Sequence, residues 1–176
     1  MVDIRSERRG VLVGMVTAAV ITAVAFGLSV TVSSDETLAV VDRLTMALHL
    51  SIILFLWLAA AIGNVARLRF FRPESINGAA FSDDDMDLRA AQAILQNTLE
   101  QTLLAFGAQV AMSTVFPDPR AGLVALVVLF STGRVLFWAG YADGAARRAL
   151  GFGLTFYPSL AVLLVSGLVV VSRLVY

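Results

Sequence analysis

Residues 121–142 read AGLVALVVLFSTGRVLFWAGYA, an apolar run broken by one charge, Arg134, near its middle. At about 1.5 Å per residue such a helix crosses a hydrocarbon core of roughly 30 Å. An arginine at that depth costs roughly 2.5–3.5 kcal/mol on insertion scales, so it faces protein, water or ligand rather than lipid. The run therefore predicts a membrane-spanning helix packed in a bundle whose interior is partly polar.

The rest of the chain agrees. It has 176 residues, 59% hydrophobic and only 15% charged, where a soluble domain carries about 25% charge. Four further spans are predicted: 11–32, which is free of charge; 45–66, interrupted by His49, Ser51 and Asn64; 88–115, less apolar but rich in helix formers; and 154–172, with Tyr157-Pro158 near its start. The first is too long for the apolar core of a signal peptide and lacks a small-residue cleavage site, so it reads as an uncleaved helix. Zero formal net charge gives no indication of nucleic-acid binding. There is no cysteine and one histidine, His49, which leaves no thiolate chemistry and little basis for a metal site. All 13 cations are arginine, which removes Schiff-base chemistry.

Arginine placement predicts topology. Arg5, Arg8 and Arg9 precede the first span; Asp35, Glu36 and Asp42 outweigh Arg43 after it; Arg67, Arg69 and Arg72 follow the second; Asp118 and Arg120 follow the third; Arg147 and Arg148 follow the fourth. Basic and non-basic sides alternate, with the N-terminus inside and the C-terminus outside. The short loops and arginine-only cations fit a bacterial inner membrane. In the longest loop, 70–87, Phe70, Phe71, Arg72 and Pro73 suggest an interfacial segment. Ser82-Asp83-Asp84-Asp85 suits a helix N-terminus, which explains the acids without a calcium site.

Two polar stripes carry the functional signal. Arg89, Ala93, Gln96/Asn97 and Glu100 share one face of the third span; Arg134, Phe137/Trp138, Tyr141 and Arg148 share one face of the fourth. The short turn 116–120 makes the two spans antiparallel neighbours. Glu100 and Arg134 lie at nearly equal depth on either side of it, which predicts an ion pair between them. The stripes converge on an inner-side cleft suited to an anionic, polar group, with apolar walls for a lipophilic second ligand. A plainer reading makes Asn97, Glu100 and Arg134 only helix–helix glue, Tyr141 an interfacial residue and Arg147-Arg148 a topological anchor.

At these residues the chain resembles the MAPEG family (membrane-associated proteins in eicosanoid and glutathione metabolism). The matching pieces are Arg89-Ala90-Ala91-Gln92, then Asn97-Thr98-Leu99-Glu100-Gln101, then Gly133 to Tyr141, then Arg147-Arg148. The family pattern is N-x-x-E on one helix and R-x-x-x-x-x-G-Y followed by a basic residue on the next. The resemblance implies a divergent, bacterial-type member: an all-α integral membrane protein with a four-helix bundle over 45–176. The helix and loop over 1–44 would be an N-terminal addition, giving five spans. It implies a homotrimer in membrane lipid, with glutathione bound between subunits as co-substrate and no metal. Asn97 and Glu100 would hold the glutathione backbone and amino end, and Tyr141 would contact the peptide. Arg134 would organise Glu100, and Arg148 or Arg147 would stabilise the thiolate. Arg89 and Arg67, the latter ending the second span with Arg69, would add basic contacts.

The implied chemistry is glutathione transfer to a lipophilic electrophile, or reduction of a lipid peroxide. A thiol of pKa about 8.5 is mostly protonated at neutral pH, and a guanidinium beside it favours the thiolate. Three departures stand against the resemblance: Ala93 where eicosanoid enzymes carry arginine, Phe137 where leukotriene-forming members carry tyrosine, and the extra N-terminal span. The first two support the alternative, a non-enzymatic member acting as a lipid-binding or scaffold protein. A proton-coupled carrier using Glu100 and Arg134 is a third possibility, but no inverted repeat or Gly/Pro-broken helix pair accompanies it.

Overall fold

The computed structural model describes residues 4–33, 37–71 and 86–175. All are helix or short connection: α1 (Ile4–Val32), α2 (Val40–Phe70), α3 (Met86–Val115), α4 (Arg120–Ala139) and α5 (Ala145–Val175). Asp35 and Glu36 of the acidic loop, Arg72-Pro73 and the Ser82–Asp85 segment lie outside the described residues. α1, α2, α4 and α5 are each long and apolar enough to span a membrane. α3, at 30 residues, is as long, but its buried face carries Thr98, Gln101, Thr102, Gln109 and Ser113. The protein is an integral, multi-pass helical membrane protein.

α2 packs on α3, α3 on α5, α5 on α4 and α4 on α2, so α3 and α4 sit on a diagonal of the bundle. This corrects the expectation that a short turn makes them close neighbours. The turn crosses the diagonal, and α5 and α2 fill the sides. Asp118 organises it by accepting from the Arg120 backbone N–H at 3.2 Å and from its guanidinium at 2.8 Å. At the same end, Arg43 donates to the Phe116 carbonyl and Arg173 to the Val115 carbonyl at 3.1 Å. Two cations thus meet the partial negative charge of the α3 C-terminus.

α3 and α5 run parallel. Arg173 pairs with Val115, 58 residues away, and Thr155 lies equally far from Asn97, to which Arg134 links it. At that register Thr98, Thr102, Ala105 and Gln109 of α3 run alongside Thr155, Ser159, Val162 and Ser166 of α5, all buried. Small side chains let the backbones approach, which matters in lipid, where apolar surface alone does not drive helices together. Several hydroxyls are satisfied within their own helix: Thr98 donates to the Ile94 carbonyl and Ser159 to that of Thr155.

α5 starts earlier than hydropathy suggested. Pro158 lies inside the helix, not near its start, and Arg147 and Arg148 fall in its first turn rather than in a loop. Proline is tolerated mid-span because neighbouring helices and hydroxyls take up the disturbed backbone groups. Two arginines at a helix N-terminus oppose its dipole, and α1 offsets this. Glu7 accepts a hydrogen bond from the Ala146 N–H at 3.1 Å, placing a carboxylate at the positive end. Beyond it, α1 lies parallel to α5 along Gly10, Gly14 and Ala18, spaced by four. A Cβ at Gly10 would stand 2.5 Å from that of Ala146, one at Gly14 would meet the Leu150 backbone at 2.9 Å, and Ala18 abuts Gly153. This is a small-xxx-small helix pair, legible as Gly10-x-x-x-Gly14-x-x-x-Ala18 but unread in the sequence analysis.

The closest backbone approach joins α4 and α5. A Cβ at Gly151 would lie 2.4 Å from the Phe137 nitrogen and 2.7 Å from the Gly133 carbonyl oxygen. Gly151→Ala is expected to destabilise the bundle by about 1–3 kcal/mol through overpacking, read as a lower melting temperature in detergent. Gly107→Ala, where a Cβ meets nothing within 4 Å, is the control and should not lower it.

Candidate functional site: an arginine-lined cleft between α1, α3, α4 and α5

Arg134 is fully buried and forms the back of the site. One guanidinium nitrogen donates to Asn97 Oδ1 at 2.9 Å and the other to Thr155 Oγ1 at 2.8 Å. Its carbon lies 4.8 Å from the Phe137 ring centre and 5.7 Å from that of Phe130. One side chain therefore ties α3, α4 and α5, with two ring faces contributing attraction.

The predicted Glu100–Arg134 ion pair is not formed. Glu100 lies on the exposed face of α3 and accepts from Gln96 Nε2 at 2.8 Å. Depth was matched but azimuth was not: Glu100 lies about 60° round the helix from Asn97, and with the half-buried Asn97 turned to Arg134 that offset carries Glu100 past the edge of the buried face to the exposed surface. Asn97 takes its place as partner.

A cleft of about 340 Å³ opens beside this pair, lined by Asn97, Tyr141 and Arg148 and walled by apolar side chains that include Val11, Met15 and Phe152. Its size lies within the range of small-molecule sites, roughly 300–1,000 Å³. The Arg148 guanidinium sits 4.6 Å over the Tyr141 ring, and Tyr141 packs edge-on to Phe137 at 5.5 Å. Stacking holds the guanidinium plane while leaving its N–H edge available. Because Asn97 Oδ1 is engaged by Arg134, its amide NH₂ remains as the group to offer a ligand. Amide, phenol and guanidinium together form a donor-rich corner against apolar walls, suited to an anionic head on a lipophilic body.

Of the residues singled out from the sequence, Asn97, Tyr141 and Arg148 line this cleft, and Arg134 supports it from behind. Arg89, Arg147, Arg67 and Glu100 are not among the residues lining it; all four are exposed, and Arg67 donates to Asn64 Oδ1 at 3.1 Å. Ala93 and Phe137, the two departures, both line it. Sequence reasoning missed Val11 and Met15. Nothing in an apolar span distinguishes a ligand-facing side chain, and only the unread small-residue stripe signals which face of α1 turns inward. Among the described residues, no three His, Cys, Asp or Glu side chains gather as a metal site.

Comparison with known proteins agrees with this architecture. Transmembrane protein 79 of Mus musculus is 29% identical over 84 residues, covering 47% of this chain and 22% of that protein. Its Bos taurus counterpart is 28% identical over 85 residues, covering 48% and 22%. The aligned stretch is thus a minor part of these longer relatives. No solved structure matches the chain significantly. A model of the MAPEG family matches residues 44–176, most of the chain. The chain belongs to the MAPEG family, membrane helical proteins of the glutathione-dependent transferase and peroxidase kind.

Proposed function

We propose that the protein is a membrane-bound glutathione-dependent transferase or peroxidase acting on lipophilic electrophiles or lipid peroxides. The observation that carries this reading is the meeting of Asn97, Tyr141 and Arg148 in one cleft with apolar walls. Family membership supplies the co-substrate class. The donor set fits glutathione: amide and phenol suit its carboxylate and peptide groups, and the guanidinium suits the ionised thiol. Glutathione supplies the nucleophilic sulfur.

The chain's own residues do the rest. Arg148, stacked on Tyr141, stabilises negative charge at the reacting sulfur, which raises the thiolate fraction at neutral pH. Asn97, oriented by Arg134, fixes the peptide. The apolar walls exclude water and hold the second substrate close. Arg147, Arg89, Arg67 and Glu100, all exposed in the single chain and outside the cleft lining, would reach the ligand only across a subunit boundary in a homotrimer. By arginine placement the cleft faces the cytoplasm, with residues 1–44 an addition to a bundle over 45–176.

A second reading has a specific observation in its favour. Ala93 and Phe137, both in the cleft lining, make it more apolar than a site built only for glutathione. A lipid-binding, non-enzymatic role follows if the thiol does not bind.

Calorimetry of glutathione with the detergent-solubilised protein separates the two. Saturable binding is expected for the wild type. Asn97→Ala should weaken it about tenfold, the effect of roughly 1.4 kcal/mol. Unchanged affinity in that variant would remove Asn97 from the site, and no binding to the wild type at millimolar glutathione would favour the lipid-binding role.

Arg148→Ala should lower turnover about a hundredfold, as loss of a charge-stabilising donor does, and should diminish the ultraviolet absorbance of bound thiolate. Arg147→Ala should change neither. Equal thiolate signals in wild type and Arg148→Ala would take Arg148 out of that role, unless the double variant alone abolishes them.

Arg134→Met should weaken glutathione to the same degree as Asn97→Ala, because it acts through Asn97. The double variant should then be no weaker than either single change. Additive losses would show that the two residues act separately.

A further inference from the structure

We infer that α1, which lies outside the family-matched residues 44–176, is a working wall of the cleft. Its residues Val11 and Met15 select the lipophilic part of the ligand, favouring a slim, unbranched alkyl chain. The inference deepens the reading above, since it takes the same cleft as the binding site, but it concerns the tail of the ligand rather than the head.

Three observations carry it. First, Val11 and Met15 line the cleft together with Asn97, Tyr141 and Arg148. They are spaced by four, so they share one face of α1. Second, that face is fixed. Val11 and Met15 directly follow Gly10 and Gly14 of the close-packed seam, and Glu7 pins the start of α1 to the Ala146 N–H. α1 cannot draw back from the cleft without opening that seam and uncapping α5. Third, the lining alternates bulk and space. Met15, Phe137 and Phe152 share the lining with Ala93, Ala145 and Ala149, so the wall combines bulky side chains with small ones that leave room for a chain. The polar and charged lining groups, Asn97, Tyr141 and Arg148, lie on α3, the α4–α5 turn and the first turn of α5, and α1 contributes only apolar ones. An amphiphile therefore has one orientation: anionic head at Arg148, chain along Val11 and Met15. Methionine, flexible and polarizable, suits such a wall.

The test uses two ligand series with matched chains, from butyl to dodecyl: S-alkyl glutathiones and n-alkyl carboxylates. Each is titrated calorimetrically into the full-length protein in lipid nanodiscs. Affinity should rise about three- to fourfold per methylene while the chain runs along the wall, then level off where it ends. Met15→Ala should move that plateau two or three carbons longer. Met15→Phe should weaken long-chain ligands at least tenfold and leave the shortest members unchanged. Met15→Leu, which conserves volume, should reproduce the wild-type profile and guards against misfolding of the bulkier variant.

Chain-length profiles that are identical in wild type, Met15→Ala and Met15→Leu would overturn the inference. So would the absence of saturable binding in both series. A Met15-dependent plateau in the carboxylates, with S-alkyl glutathiones no tighter and glutathione itself unbound, would uphold the wall while overturning the glutathione reading.

Discussion

The guanidinium of Arg134 is the constraint from which the bundle and the site both follow. A charge buried in an apolar helix needs partners, and here Asn97 on α3 and Thr155 on α5 accept from its two terminal nitrogens, with two aromatic faces beside them, while Nε has no hydrogen-bond partner. That requirement fixes the depth of three helices relative to one another. It also fixes the orientation of an asparagine amide at the edge of the cleft. Breaking a buried polar link usually costs several kcal/mol because the remaining groups are stranded. The same contact is therefore structural to the fold and preparatory to binding, and the two roles cannot be separated by looking at burial alone.

Close helix contact extends this. The parallel α3–α5 seam and the α1–α5 seam are built mainly from glycine, alanine, serine and threonine, with Gln109 and Val162 among them, so helix axes approach with few bulky side chains between them. α5 takes part in both and carries Arg148 in its first turn. Its N-terminus is held by a carboxylate from another helix, which stabilises a turn that two arginines would otherwise strain. The stacked Arg148–Tyr141 pair thus rests on a helix end held by the Glu7 carboxylate and by the close packing of Gly10 on Ala146.

Much of this was legible in the sequence. Apolar length and the order of polar motifs pointed to the helices, and the family pattern led to Asn97, Tyr141 and Arg148. Azimuth was not legible. Equal depth suggested Glu100 as the partner of Arg134, yet Glu100 lies about 60° round the helix from Asn97, enough to leave the edge of the buried face, and α3 and α4 sit on a diagonal. The start of α5 was missed because hydropathy registers apolar residues, while Arg147 and Arg148 are helical for reasons of capping. Val11 and Met15 were invisible because an apolar side chain facing lipid and one facing a ligand read alike.

The Glu7–Ala146 contact joins residues 139 positions apart, and it sets a condition on biosynthesis. α1 is made before α5. At about 5–20 residues per second, the first helix waits on the order of ten seconds in the membrane before its partner exists. Through that interval its glycine stripe is exposed to lipid and to any other helix able to pack against small residues. The bundle can close only once α5 has been made, so a stop in translation before it leaves α1 without the neighbour it is shaped to meet.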